Sequence, residues 1–190
     1  IREKFPEALL IGGGEHVTAM PVQSIEESEL DLGVLGEGEE TALEVVNAFA
    51  TGTMDKTLIE GIVYKDSNGK AESNPRRARK RDLDNIPVPA WDITPIENYL
   101  ERGFGFGVDR GRSMPLMASR GCPYQCTFCS NPLMWTTRWI ARDPDLLLDE
   151  IVAYQEQYKA VNFDFYDLTA IVKKSWIVDF CHKIEKRGLT

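Results

Sequence analysis

Positive charge, histidine and long apolar runs are all scarce in this sequence. Asp and Glu outnumber Lys and Arg by 30 to 22 over 190 residues, a formal net charge of −8. A nucleic-acid surface needs a basic stripe facing the phosphates, so this balance argues against such a partner. The one basic run, Pro75-Arg-Arg-Ala-Arg-Lys-Arg81, reads as a solvated linker. No apolar stretch reaches the roughly 18 residues that span a membrane, and no signal-peptide pattern opens the chain. Cysteines number four and histidines two. Three of the cysteines crowd into one loop, so disulfide pairing would leave one of them over. That usage fits a reducing cytoplasm. Hydrophobic residues make up 43%, enough to bury a sizeable core in one large domain or two small ones.

What is present has an α/β rhythm. Ala8-Leu-Leu-Ile11 predicts a short strand running into Gly12-Gly-Gly14, and Ile25 to Leu30 suits a short helix. Asp31-Leu-Gly-Val-Leu35 predicts a second strand, turned by Gly36-Glu-Gly-Glu into a helix over 41–50 with Leu43, Val46 and Ala50 on its apolar face. Strand, glycine turn and helix in this order belong to a doubly wound sheet, whose ligands sit at the carboxyl ends of the strands. Asn68-Gly69 between two strand-like runs predicts a hairpin. Pro87 and Pro89 stop helix and sheet alike, and Asp92 to Leu100 suits a short helix. Gly103-Phe-Gly-Phe-Gly107 reads as a flexible aromatic stretch, either a packed surface loop or a cover for a ligand. Met114 to Ser119 is a strand, 142–158 a helix capped by Asp143, Ala160 to Tyr166 a strand, and about 175–186 a helix stopped by Gly188. Cys181, within that helix, reads as a buried small apolar residue. With Ile1 where Met would start a chain, and a helix end leading into a new strand at Lys186 to Thr190, the sequence reads as a segment cut at both ends.

The chemistry concentrates in Ser119-Arg-Gly-Cys-Pro-Tyr-Gln-Cys-Thr-Phe-Cys-Ser-Asn131. Cys122, Cys126 and Cys129 stand in a C-x3-C-x2-C spacing that brings three thiolates around a single turn. Zinc usually asks for four ligands in two pairs, and Cys181, His182 and His16 are the leftover candidates, all far along the chain. Three thiolates on a [4Fe-4S] cubane leave one iron without a protein ligand, and an open metal position is where chemistry happens.

With Phe128 before the third cysteine, this loop resembles the C-x3-C-x-aromatic-C signature of the radical S-adenosylmethionine superfamily. Gly13-Gly-Glu-His-Val-Thr18 and Asp31-Leu-Gly-Val-Leu-Gly-Glu-Gly-Glu-Glu-Thr41 resemble the amino-terminal domain of its cobalamin-binding members. The resemblance implies an α/β fold: the carboxyl-terminal part of a Rossmann-like (flavodoxin-like) cobalamin-binding domain over 1–74, a linker over 75–113, and the start of a partial TIM-type (β/α) barrel over 114–190. It implies that Cys122, Cys126 and Cys129 hold a [4Fe-4S] cluster whose open iron takes S-adenosylmethionine. Reductive cleavage then starts radical chemistry, a methylation or a cyclisation. Phe128 would lie near the adenine or simply pack. Asp167 would meet the methionyl amino group or substrate, or cap a turn; Leu168 stands where members carry a second carboxylate. Gly12, Gly13, Gly36 and Gly38 would border the corrinoid tail. His16 would be a loop histidine rather than a cobalt ligand, and Arg138 and Arg142 would either meet the adenosylmethionine carboxylate or form surface pairs. Trp135 and Trp139 would cover the cluster or join the core. A small-molecule substrate and an electron donor such as flavodoxin or ferredoxin are implied as partners. Two rival readings are a methylthiotransferase acting on RNA, which would carry a basic tail, and a non-catalytic iron–sulfur or zinc module.

Overall fold

The computed structural model describes residues 1–105, 108 and 110–189. In chain order its strands and helices are β1 (Ile11–Gly12), α1 (Glu15–Ala19), α2 (Pro21–Glu26), β2 (Leu32–Val34), α3 (Glu39–Ala50), β3 (Ile62–Lys65), β4 (Ala71–Ser73), α4 (Ile96–Glu101), β5 (Ser113–Leu116), β6 (Ser119–Arg120), α5 (Asn131–Met134), β7 (Ile140–Ala141), α6 (Pro144–Tyr158), β8 (Asn162–Phe165) and α7 (Lys174–Arg187). They fall into two compact units, 1–80 with 123–137, and 81–122 with 138–190.

The first unit is built on a sheet of order β1-β2-β3-β4, parallel between β1 and β2 and antiparallel thereafter. Alternation along β2 sends Leu32 and Val34 to one face, where they meet Val45 of α3, Ile62 and Tyr64. The other face buries Val17, Ile25 and Val63 under α1 and α2. Gly33 lies between these layers because a Cβ there would come within 2.6 Å of Val17 and 2.8 Å of Val63. The hairpin forms at Asn68-Gly69 as the sequence predicts, with the Asp66 carboxylate accepting from the Asn68 and Lys70 amides.

Two local expectations shift. The helix expected over 25–30 forms earlier, because Pro21 supplies its first turn. In α3 the buried residues are Thr41 and Val45, whereas Leu43 and Val46 of the expected apolar face are 61% and 51% exposed. The glycine turn starts the helix two residues early and sets its phase. The basic run also departs from a solvated linker. Arg77 pairs with Glu44, Arg79 with Glu37 and Lys80 with Glu40 (2.7 Å), so it straps the acidic start of α3.

In the second unit β5 and β8 pair in parallel and α6 makes the crossover between them. Pro115 has no N–H to give, which suits a strand at a sheet edge. Met114, Leu116 and Ala118 pack against Leu147, Leu148, Ile151 and Tyr154 of α6 and Phe180 of α7. The Asp143 side chain accepts from Asp145 N at 2.7 Å, the expected cap, and Gly188 ends α7 with φ 66°. Antiparallel β6 and β7 were not foreseen in the sequence. Cys181 is exposed on α7, not buried. Phe104 is exposed, and the rest of the aromatic stretch, Phe106 and Gly107, lies outside the described residues.

Candidate functional site

Within the first unit the two glycine turns meet. A cleft of about 420 Å³ is lined by Gly12, Gly13, Gly14, Gly36 and Gly38. A Cβ on Gly13 would stand 3.7 Å from the Val34 carbonyl, and Gly36 has φ +71°, a conformation that favours glycine. Thr18, buried at 6% exposure, accepts from Gly36 N at 3.0 Å and so ties one turn to the other. The four glycines singled out from the sequence are therefore brought to one place. His16 is on α1 rather than in a loop, and it is exposed.

The segment that follows the cysteines supplies the remaining wall of that cleft. Met134 and Trp135 line it, and Ser130 donates to Glu15 at 2.9 Å. Cys126 and Cys129 lie in the same unit, joined by a turn in which Cys129 N donates to the Cys126 carbonyl at 3.1 Å. Asn131, 1% exposed, donates its backbone N–H to Cys129 Sγ at 3.4 Å and its side-chain amide to the Thr136 carbonyl at 3.1 Å. Phe128 between the two cysteines is 91% exposed. Arg138 is exposed, and it belongs to the second unit with Trp139.

Cys122 closes a segment of the second unit, where it accepts from the Thr169 hydroxyl at 3.1 Å. Asp167 holds the strand end leading to it. One carboxylate oxygen accepts from Ala118 N at 3.0 Å and the other from the Ser119 hydroxyl. Burial pushes the Asp167 carboxyl up, against the lowering by Ser119 and Ala118. Trp139 Nε1 is shared between Ser119 Oγ (2.9 Å) and the Thr169 carbonyl (3.0 Å). Arg142 does not make a surface pair. It lies 2.6 Å from Glu150, and the two side chains are only 17% and 5% exposed. Burial, and then the Glu150 carboxylate, raise the Tyr154 phenol beside them.

None of the four cysteines is in a disulfide. Among the described residues no three His, Cys, Asp or Glu side chains converge as a single metal ion would require. A cubane spreads its thiolates over separate irons, so the spacing does not ask for that convergence. The donor set fits such a cluster: free thiols, two of them already accepting hydrogen bonds as ligand sulfurs do. The cleft fits a bulky ligand that needs close backbone approach, since five glycines are among the residues that line it. Sequence reasoning missed Thr169 and Asn131, whose roles come from long-range placement, and it missed Met134 as cleft wall.

No family model matches the chain. An uncharacterized methyltransferase of Pyrococcus horikoshii is 34% identical over 181 residues, covering 95% of this chain and 38% of that protein. The anaerobic magnesium-protoporphyrin IX monomethyl ester cyclase of Rubrivivax gelatinosus is 32% identical over 191 residues, 99% of this chain and 33% of the relative. The chain thus spans about a third of the length of these curated relatives. Among solved structures, the radical S-adenosylmethionine methyltransferase TsrM of Kitasatospora setae, with cobalamin and a [4Fe-4S] cluster bound, superposes with a TM-score of 0.68. It is 20% identical, covers 95% of this chain and 34% of its own, and shares the mixed α/β fold. On the sequence motifs and these matches together, the chain is similar over almost its whole length to the cobalamin-binding radical S-adenosylmethionine family.

Proposed function

We propose that this chain carries the cluster-binding loop and the corrinoid-facing cleft of an enzyme that reductively cleaves S-adenosylmethionine to begin a methylation or a cyclisation of a small molecule. The observation that carries this reading is the Cys122, Cys126, Cys129 loop, whose following residues wall the glycine cleft of the same unit as Cys126 and Cys129. Cys122, Cys126 and Cys129 would hold the cluster as thiolates. The cluster, when bound, supplies one electron to the sulfonium of S-adenosylmethionine, breaking a carbon–sulfur bond to give methionine and a carbon-centred radical. Thr169 and the Asn131 amide orient two of the sulfurs, and Asp167 holds the β5 exit that leads to Cys122. Phe128, exposed between the cysteines, is the ring this loop can offer to the adenine. Gly12, Gly13, Gly36 and Gly38 would let the backbone approach the corrinoid's nucleotide tail. Arg142, committed to Glu150, is not assigned to the adenosylmethionine carboxylate.

In this reading residues 1–74 are part of a Rossmann-like corrinoid domain, 75–113 a linker, and 114–190 the opening of a partial (β/α) barrel, whose first βαβ unit would be β5-α6-β8. The electron would come from a small donor protein such as flavodoxin or ferredoxin, and the substrate would be a metabolite rather than a nucleic acid. The test is anaerobic reconstitution of the full-length protein with iron and sulfide, followed by dithionite and S-adenosylmethionine. About four irons per chain and formation of 5′-deoxyadenosine are expected, with both lost in Cys126→Ala. Zinc without deoxyadenosine, or unchanged iron in Cys126→Ala, would overturn the proposal.

A further inference from the structure

Cys122 differs from the other two cysteines of the loop in how its sulfur is held. Cys129 takes a backbone amide two residues further on, a contact that any residue but proline at position 131 could make. Cys122 takes a side-chain hydroxyl, Thr169 Oγ1, from 47 residues away in sequence. That threonine is itself braced. The indole N–H of Trp139 donates to its carbonyl at 3.0 Å and to Ser119 Oγ at 2.9 Å. Ser119, 2% exposed, donates in turn to Asp167, and the other oxygen of Asp167 grips Ala118 N. Strand end, indole and post-β8 loop thus form one bracket within the second unit, and its free end is a hydroxyl aimed at a cysteine sulfur.

A hydroxyl is a weak requirement for packing here but a strong one for electronics. Donation to a thiolate draws charge off the sulfur and favours the more negative state of whatever metal it ligates, and hydrogen bonds to ligand sulfurs are among the levers that set cluster potentials. We infer that Thr169 is a positioning residue that orients Cys122 and raises the reduction potential of the cluster bound there, with Trp139 and Ser119 holding it in place. The inference rests on the cluster reading above. It gives the Asp167 carboxylate a use as anchor of the bracket, and it places the tuning hydroxyl on the loop after β8 rather than in the cysteine loop itself.

The experiment compares full-length protein, Thr169→Val and Thr169→Ser after anaerobic reconstitution, with iron content measured and the midpoint potential read by paramagnetic resonance during a reductive titration. Valine keeps the shape and removes the donor, whereas serine keeps the donor. Thr169→Val should show a ratio of reduced to oxidised cluster about threefold or more lower at the parent's midpoint, which for a one-electron couple is about 28 mV. Thr169→Ser should stay near the parent. Loss of cluster in the valine variant with retention in the serine variant supports the same role. Equal potentials and equal iron in parent and Thr169→Val overturn the inference while leaving the cluster reading intact. A parent that binds no cluster overturns both.

Discussion

Arg142→Met gives the sharpest check on how the second unit is held together. The guanidinium lies 2.6 Å from the Glu150 carboxylate and also donates to the Met117 carbonyl at 3.3 Å. With the carboxylate side chain 5% exposed, loss of the partner leaves a charge largely shielded from water. Desolvation of a carboxylate costs several kcal/mol, which is why removing one member of a buried pair costs about 3–5 kcal/mol, whereas an exposed pair is worth about 0–1 kcal/mol. The remaining 17% exposure of Arg142 puts the expectation near the lower bound, about 3 kcal/mol. Glu150 also neighbours Tyr154, which accepts from Trp91 Nε1 at 2.9 Å, so the disturbance should reach the Trp91 contact. Three of the four tryptophans, Trp91, Trp139 and Trp176, belong to this unit, so urea unfolding followed by tryptophan fluorescence reports on it directly. Glu150→Met and the double variant complete a cycle. The double variant should lie well below the sum of the singles, because an apolar pair leaves no buried charge unpaired. A loss under about 0.5 kcal/mol for Arg142→Met, typical of a surface site, would refute the burial argument.

Gly36→Ala should destabilise the first unit by about 1–2 kcal/mol, since an L side chain must adopt φ +71° there, and it should weaken hydroxocobalamin binding measured by visible absorbance. Equal stability with equal binding would remove Gly36 from the cleft's essential set. Asp145 governs the acid response of the α6–α7 seam. Hydrogen bonds from Lys183 and then Arg187 hold its carboxyl below the usual aspartate value. Its contribution is therefore full above that value and lost as pH falls through the depressed one. Acid unfolding of Asp145→Asn should lack that step, and high salt should flatten it in the parent, because the pair is only half-buried.

Much of the fold is legible because local rules and tertiary packing agree. Asp143 before Pro144, Gly188 after α7 and Asn68-Gly69 in the hairpin each state a backbone requirement within a few residues, and each forms as read. What failed was whatever depends on the partner across space. The periodicity of α3 names Leu43 and Val46 as its buried face, yet the sheet selects Thr41 and Val45, because the register of a helix on a sheet is set by the turn that delivers it. Cys181 has the composition of a core residue but is exposed, because α7 turns Phe180 rather than Cys181 into the core. Arg142 reads as one more surface cation until the second turn of α6 brings Glu150 beneath it. The site follows the same division. Cysteine spacing names three residues outright, and the glycines mark two turns, but neither says that Thr18 joins the turns or that Thr169 reaches Cys122.

The run from Asp31 to Thr41 shows why such a motif is easily read as ligand contacts alone. Asp31 accepts from Leu10 N at 2.7 Å and pairs with Arg2, registering β1 against β2; burial raises its carboxyl, but those hydrogen bonds prevail and lower it. Gly33 lets Val17 and Val63 close over the sheet. Glu37 receives Lys80 N at 2.8 Å, and buried Thr41 accepts from Arg77 Nε at 2.9 Å, so both hold the basic strap. Within this run Val34, Gly36, Glu37, Gly38 and Glu39 line the cleft. The motif therefore both builds the turn and lines the cleft, and a ligand would meet bare backbone at Gly36 and Gly38. Substitutions at Asp31 or Thr41 should accordingly act on binding through stability, those at Gly38 on binding itself, and those at Gly36 on both.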